Sequence, residues 1–128
     1  MAESEKITIN LTPVELGKID LLAEQGHYSN RSDFIRSAIR SQLEKHTGDV
    51  QQAVSLHAFI VGVASYGRTE LEVLKAKRKK LKLTIIGALH LSRNISPALA
   101  SEVIESVRVR GVFNASEEVK AALADRIH

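Results

Sequence analysis

The fold of the N-terminal third is decided by the stretch Lys6-Ile7-Thr8-Ile9-Asn10-Leu11-Thr12. Polar and apolar residues alternate strictly along it, which is the period of a half-buried β-strand. Lys6, Thr8 and Asn10 share one face, and the three apolar residues between them share the other. We therefore predict a single short strand over residues 6–11.

Two helix starts follow this strand. Thr12 stands before Pro13 and three residues before Glu15, which is typical of a capping box at the start of a helix. Gly26 ends that helix, and Asn30 with Asp33 begins a second one by the same spacing. Both helices carry apolar stripes at helical spacing. The predicted order is strand, helix, helix.

The lone strand has no partner within such a unit. Unpaired backbone N–H and C=O groups are costly when they are buried, and about 45 residues form only a marginal core. Two copies that pair their strands antiparallel and pack their helices together solve both problems. We therefore expect an obligate homodimer with a two-stranded ribbon, whose outer face carries Lys6, Thr8 and Asn10 twice.

A two-stranded ribbon fits the major groove of B-DNA. Lysine donates to guanine, threonine donates or accepts, and asparagine pairs with adenine, so Lys6, Thr8 and Asn10 are the candidate base-reading residues. The first turn of the second helix, Asn30-Arg31-Ser32, has free N–H groups that suit a phosphate. The expected partner is double-stranded DNA.

The strand, followed by Gly26-His27-Tyr28-Ser29-Asn30-Arg31-Ser32-Asp33-Phe34-Ile35-Arg36, resembles the ribbon-helix-helix (MetJ/Arc/CopG-type) transcription factors. The resemblance covers residues 5–46. It implies a dimeric repressor, or a bacterial plasmid or phage regulator, that reads an operator with ribbon side chains. By position, it assigns base reading to Lys6, Thr8 and Asn10, and phosphate binding to Asn30, Arg31 and Ser32.

The charge distribution suggests a boundary after this unit. Residues 1–47 carry six basic and seven acidic side chains, whereas residues 51–128 carry twelve basic and seven acidic ones. The polar segment between them lacks apolar periodicity. We predict an α+β protein with a ribbon-helix-helix domain over residues 1–46, a linker over 47–53 and a second domain over 54–128.

The second domain contains a threefold strand-helix pattern. The segments Phe59–Gly62, Thr84–Gly87 and Arg108–Gly111 each end in a glycine, the glycines are 25 and 24 residues apart, and each segment is followed by a helical pattern. Ser96-Pro97 and Asn114 mark the predicted starts of the later helices. We expect a small three-stranded sheet that assembles with further copies through its open strand edges. The sequence names no residue for a small-molecule effector.

This domain also contains two motifs that could bind phosphate groups. The run Gly62–Thr69 is one residue away from a phosphate-binding loop, but Arg68 stands in place of the lysine, and Thr69 with Glu72 predicts an ordinary helix start. Six cations crowd into eight residues at a predicted helix end, where they face solvent or add non-specific DNA contacts: Lys75, Lys77, Arg78, Lys79, Lys80 and Lys82.

Composition excludes several classes of function. The chain has no cysteine, its five histidines are dispersed, and no catalytic spacing of His, Asp and Ser occurs, so we expect no enzyme, no metal and no cofactor. The acidic start over residues 1–5 is unlike a signal peptide, and no apolar run is long enough for a membrane helix, so a cytoplasmic protein is expected. Two alternatives to a regulator stay open: an antitoxin of a toxin–antitoxin pair, and a DNA-tethered oligomeric scaffold.

Overall fold

A computed structural model describes residues 4–128, so the first three residues of the acidic start lie outside the described part. The chain is a mixed α and β protein. It divides into two compact units, Met1–Gly48 and Asp49–His128. Among residues 4–128, no helix is both long and apolar enough to cross a bilayer.

The first unit contains helices α1 (Pro13–Glu24) and α2 (Arg31–Lys45). The predicted capping box of α1 is confirmed: the Thr12 hydroxyl accepts from the Glu15 N–H at 3.2 Å, and the Glu15 carboxylate accepts from the Thr12 N–H at 3.2 Å. At α2, the Asn30 side chain accepts from the Asp33 N–H at 2.8 Å. Both helices therefore begin where their N–H groups find side-chain oxygens.

Residues 4–12 form no strand in the single chain. Ile7 is 75% exposed and Ile9 is 55% exposed, so the apolar face of the predicted strand is uncovered. A strand is defined by its hydrogen-bonded neighbour, and the described first unit otherwise consists of helices and turns. The ribbon stays a prediction that requires a second copy of the chain.

Residues 47–53, which the sequence analysis assigned to a linker, are helical. Helix α3 (Thr47–His57) follows α2 almost at once, and the boundary between the two units falls inside it. The Thr47 hydroxyl donates to the Glu44 carbonyl at 2.9 Å. The residues of α3 are exposed or half-buried, so the helix lacks the apolar stripe by which a sequence reveals helical periodicity.

The second unit alternates strands with helices. Its elements are β1 (Ile60–Tyr66), α4 (Arg68–Ala76), β2 (Leu81–Leu91), α5 (Pro97–Val103), β3 (Ile104–Asn114), α6 (Glu117–Ala122) and a 3₁₀ turn at Ala124–Arg126. Over residues 4–128, the strands form a parallel sheet in the order β1-β2-β3. The three strands expected from the glycine pattern are present, and each extends beyond the run that predicted it.

The core of the second unit lies between the sheet and helices α4, α5 and α6. Leu71 of α4, Leu89 of β2 and Val119 of α6 have no exposed surface, and Leu99 of α5 is buried beside them. Alternate residues of each strand point to this core because successive side chains of a strand face opposite sides. The other face of the sheet carries residues such as Val61, which is largely exposed.

The three glycines of the sequence pattern occupy one register position across the sheet. Gly62 pairs with Gly87, and Gly87 pairs with Gly111. All three have φ between 130° and 144°, a conformation that L side chains rarely adopt. A methyl group on Gly87 would collide with the Gly62 carbonyl, and one on Gly111 with the Gly87 carbonyl. Glycine is therefore required where the strands approach each other.

Two predicted helix starts in the second unit are wrong by two residues. Helix α4 begins after Gly67, whose N–H donates to Glu70 at 3.2 Å, so Thr69 is not the cap. Helix α6 is capped by Ser116 instead of Asn114, because β3 continues through Asn114. The Ser96 cap of α5 is confirmed.

The end of α3 gives a test of helix termination. Ala58 has φ 54°, and the N–H beyond it, on Phe59, donates to the Val54 carbonyl at 3.1 Å. This left-handed cap favours glycine, because an L side chain costs about 1–2 kcal/mol there. We expect Ala58→Gly to raise the free energy of unfolding by about 1 kcal/mol, measured by urea denaturation. The control Ala53→Gly, inside α3, should lower it by about the same amount.

Candidate nucleic-acid interface

The predicted base-reading residues lie on the N-terminal segment that leads into α1. Lys6, Thr8 and Asn10 are all exposed, as are the residues between them. The Thr12 cap fixes where this segment ends and α1 begins. The predicted phosphate-binding residues lie on a separate segment, and Asn30 is 20 residues beyond Asn10.

The first turn of α2 is capped by a side chain and is also exposed to solvent. The Asn30 side chain accepts from Asp33, whose carboxylate in turn accepts from the Ser29 N–H at 2.9 Å. Arg31 and Ser32 are exposed in the first turn. The first N–H groups of a helix have no partner within the helix and carry a partial positive charge, so this turn can accept an anion.

Arg31 already has a protein partner, which the sequence did not reveal. Its guanidinium donates two hydrogen bonds to the carboxylate of Asp20 on α1, at 2.7 and 2.8 Å. Arg31 holds the pKa of Asp20 below its usual range, and Asp20 raises the pKa of Arg31. Both side chains are about half exposed, so the pair ties α1 to α2 at the surface. The eleven-residue separation gave no sequence signal.

An apolar groove opens beside the base-reading segment. Its volume is about 410 Å³, and it is formed by residues of the N-terminal segment, α1 and α2: Ile9, Leu11, Glu15, Lys18, Ile19, Leu22, Phe34, Ile35, Ala38 and Ile39. Eight of these ten residues are apolar. In the single chain, the side chains predicted to close a dimer core therefore line an open surface, and Ile39 and Leu43 on α2 are also exposed.

The basic segment spans the end of α4 and the beginning of β2. Lys75 pairs with Glu102 of α5 at 3.2 Å. Arg78 has φ 56° just after α4, in the left-handed region that usually selects glycine. A shallow cavity of about 230 Å³ lies here, lined by Lys75, Arg78, Lys79, Lys80 and Glu102. Lys77 and Lys82 are exposed nearby in the sequence.

Within residues 4–128, no group of three or more His, Asp or Glu side chains lies close enough to hold a metal ion. His90 lies near the end of β2, and its Nδ1 is 2.9 Å from the amide nitrogen of Asn114 in the neighbouring strand.

Comparisons with known proteins point to a family of transcriptional regulators. Residues 2–120 match the Ribbon-Helix-Helix transcriptional regulator family. The match covers most of the chain, whereas the sequence resemblance was limited to residues 5–46, so that extent was too narrow. The chain is also similar to the transcriptional regulator CdrS of Halobacterium salinarum, with 33% identity over 43 residues, 34% of this chain and 78% of the relative. No solved structure matches the chain.

The Asp20–Arg31 pair predicts a pH dependence. The folded-state pKa of Asp20 is lowered, so the ionised carboxylate stabilises the fold above pH 4 and loses that effect as the pH falls through the folded-state pKa. Asp20→Asn should therefore be less stable than the natural chain at pH 7, by a small amount because the pair is exposed. We expect the difference to shrink below pH 4 in urea denaturation. A difference that stays constant from pH 7 to pH 2.5 contradicts this role.

Proposed function

Because this chain belongs to the ribbon-helix-helix transcriptional regulator family, we propose that it is a sequence-specific DNA-binding repressor that acts as a homodimer. The first unit reads DNA, and the second unit joins copies of the chain. The observation that carries the proposal is an exposed segment with alternating side chains beside an open apolar groove.

Dimerisation explains why the first unit exposes so much apolar surface. Residues 4–12 have no strand partner, and the groove beside them is lined mainly by aliphatic side chains. Antiparallel pairing of two such segments satisfies their backbone groups and turns Ile7, Ile9 and Leu11 towards the helices. Burial of apolar surface contributes about 25 cal/mol per Å², which favours the paired state.

The outer face of the resulting ribbon supplies the base contacts. Lys6, Thr8 and Asn10 then appear twice, related by the two-fold axis of the dimer. Lysine donates to guanine N7 and O6, and asparagine pairs with adenine through two hydrogen bonds. Such a dimer reads two half-sites of opposite orientation, because protein symmetry is mirrored in the operator.

The start of α2 fixes the ribbon in the groove through phosphate contacts. The backbone N–H groups of Arg31 and Ser32 bind the phosphate. The Arg31 guanidinium is less available, because it already donates two hydrogen bonds to Asp20. Asn30 acts by capping the helix. These contacts set the register of the protein on DNA and do not select the sequence.

The packed second unit favours a regulator over an antitoxin. An antitoxin tail that folds only on its toxin lacks a core of its own, whereas α4, α5 and α6 enclose a continuous core with the sheet. We propose no catalytic role for this unit. Its basic segment, from Lys75 to Lys82, adds DNA contacts that do not depend on sequence.

The base-reading assignment is tested by Thr8→Ala and Asn10→Ala. Each variant removes side-chain contacts to bases, so operator affinity should fall by about 1–3 kcal/mol per lost contact. Affinity for an unrelated duplex should stay unchanged, because that binding comes from phosphate contacts. The measurement is fluorescence anisotropy with operator sequences selected from random DNA.

Two results would contradict that assignment. One is operator affinity and selectivity equal to those of the natural chain in both variants. The other is an equal loss on operator and unrelated DNA, which would point to damaged folding or phosphate contacts. Urea denaturation of each variant provides the control, since exposed residues such as Thr8 and Asn10 should leave stability nearly unchanged.

The basic segment is tested through salt dependence. Lys79→Gln combined with Lys80→Gln removes two cations that have no assigned protein partner, unlike Lys75. If both contact phosphates, the slope of log K against log salt concentration should become less steep by about 1.8. Thr8→Ala is the matched control and should leave the slope unchanged. An unaltered slope in the double variant means that this segment faces solvent on the complex.

A further inference from the structure

We propose that the second unit binds a second copy of this chain edge to edge, with β1 of one copy parallel to β3 of the other and Gly62 opposite Gly111. The proposal deepens the assembly role assigned above to this unit. It concerns strand edges that take no part in DNA reading, so its test is independent of the test of the base contacts.

The free edge of β1 is unusually apolar. The strand reads Ile60-Val61-Gly62-Val63-Ala64-Ser65-Tyr66 and contains no charge. Ile60 and Val61 are each 67% exposed, and Val63 is 59% exposed. Natural proteins protect free edges with charges, proline or covering segments. An unprotected apolar edge of this kind is typical of a strand that pairs with another chain.

Gly62 specifies what the partner strand must present at this edge. In the two internal pairs, the carbonyl of one glycine occupies the place where the next glycine would carry a side chain. Gly62 has the same backbone conformation, with φ 144°, but a methyl group built on it meets no described atom within 4 Å. The empty space beside Gly62 therefore fits a glycine carbonyl from a parallel neighbouring strand. By the repeat of the sheet, the Gly111 carbonyl points outward from β3 in the required direction.

The outer edge of β3 already accepts a parallel segment over part of its length. Ile127 forms a parallel bridge with Val107, and the His128 N–H donates to the Val107 carbonyl at 2.8 Å. Placing Gly62 of a second copy opposite Gly111 puts Ile60 opposite Val109. In this register Ala58 and Phe59 of the incoming chain fall at the positions that Ile127 and His128 occupy, so these two C-terminal residues must move aside when the second copy binds.

An apolar cavity lies at the position that the side chains of β1 from the second copy would occupy. It measures about 200 Å³ and is lined by Val109, Phe113, Lys120 and Ile127. Val109 and Phe113 pair with Ile85 and Leu89 of β2 on the core side of the sheet. In the proposed register, Ile60 and Ala64 of the second copy lie opposite Val109 and Phe113 and extend the core outward.

The contact is heterologous, since it joins two different edges. In a pair of copies, one β1 edge and one β3 edge remain free, so the same contact can add further copies. Association of this kind uses the same backbone hydrogen bonds that hold β1, β2 and β3 together.

Cysteine cross-linking of the full chain, without DNA, tests the proposal. The natural sequence has no cysteine, so the unmodified chain forms no disulfide cross-links. The proposed register places Val61 opposite Arg110 of the other copy, at the spacing of neighbouring strands, about 4.8 Å, which a disulfide can bridge. Within one chain, both residues pair with Ile86, so they lie about 9.6 Å apart, beyond that reach.

We expect a mixture of the single variants Val61→Cys and Arg110→Cys to form a cross-linked heterodimer on mild oxidation, read by non-reducing gels and mass spectrometry. The matched control mixes Val61→Cys with Asn114→Cys, four residues out of register, and should cross-link at least tenfold more slowly. Cross-linking at equal rates in both mixtures, or in neither, overturns the proposal.

A third variant separates this contact from a symmetric one. If two β1 strands instead pair antiparallel across a two-fold axis, Val63 lies opposite itself and Val63→Cys alone forms dimers rapidly. That outcome also overturns the proposal. Operator binding by the cysteine variants under reducing conditions is measured in parallel, so a failure of DNA reading is distinguished from a failure of this contact.

Discussion

Backbone pairing between parallel strands is the interaction on which the second unit depends. Each strand supplies hydrogen bonds to its neighbour, and the pairing holds only if the chain passes close to the adjacent carbonyl at one position. Gly87 and Gly111 satisfy that requirement because any side chain there would meet backbone. The helices follow from the same pairing, since each must return the chain to the same end of the sheet.

The first unit differs, because residues 4–12 have no paired strand within the described part of the chain. Its two helices are capped by Thr12 and Asn30 and are joined at the surface by the Asp20–Arg31 pair. Among its described residues, Ile19 is the one large apolar side chain that is buried, and 6% of its surface is still exposed. Local interactions therefore fix the helices, and they leave open the apolar surface that the proposed dimer would cover. In that proposal, DNA binding and folding of this unit are linked through one association step.

Much of the local structure could be predicted from the sequence where a single residue type has a single physical role. The caps at Thr12, Asn30 and Ser96 and the presence of a strand at each of the three glycines are of this kind. Helix α3 was missed because it is polar on most sides, and a pattern of burial is what distinguishes a helix from a loop in a sequence. The Asp20–Arg31 pair was missed because it depends on how α1 and α2 pack, which spacing along the chain does not encode.

The pairing of Gly62, Gly87 and Gly111 across the sheet also explains an irregularity at the start of β3. Leu81 pairs with Ile104 and Lys82 with Ser106, so Glu105 is an extra residue in the ladder. Six residues separate Leu81 from Gly87, but seven separate Ile104 from Gly111. The bulge at Glu105 absorbs the surplus before the glycines meet. The ladder stays in register from the Lys82–Ser106 pair to the His90–Asn114 pair, so an extra residue near the start of β3 leaves the pairing of the glycines intact.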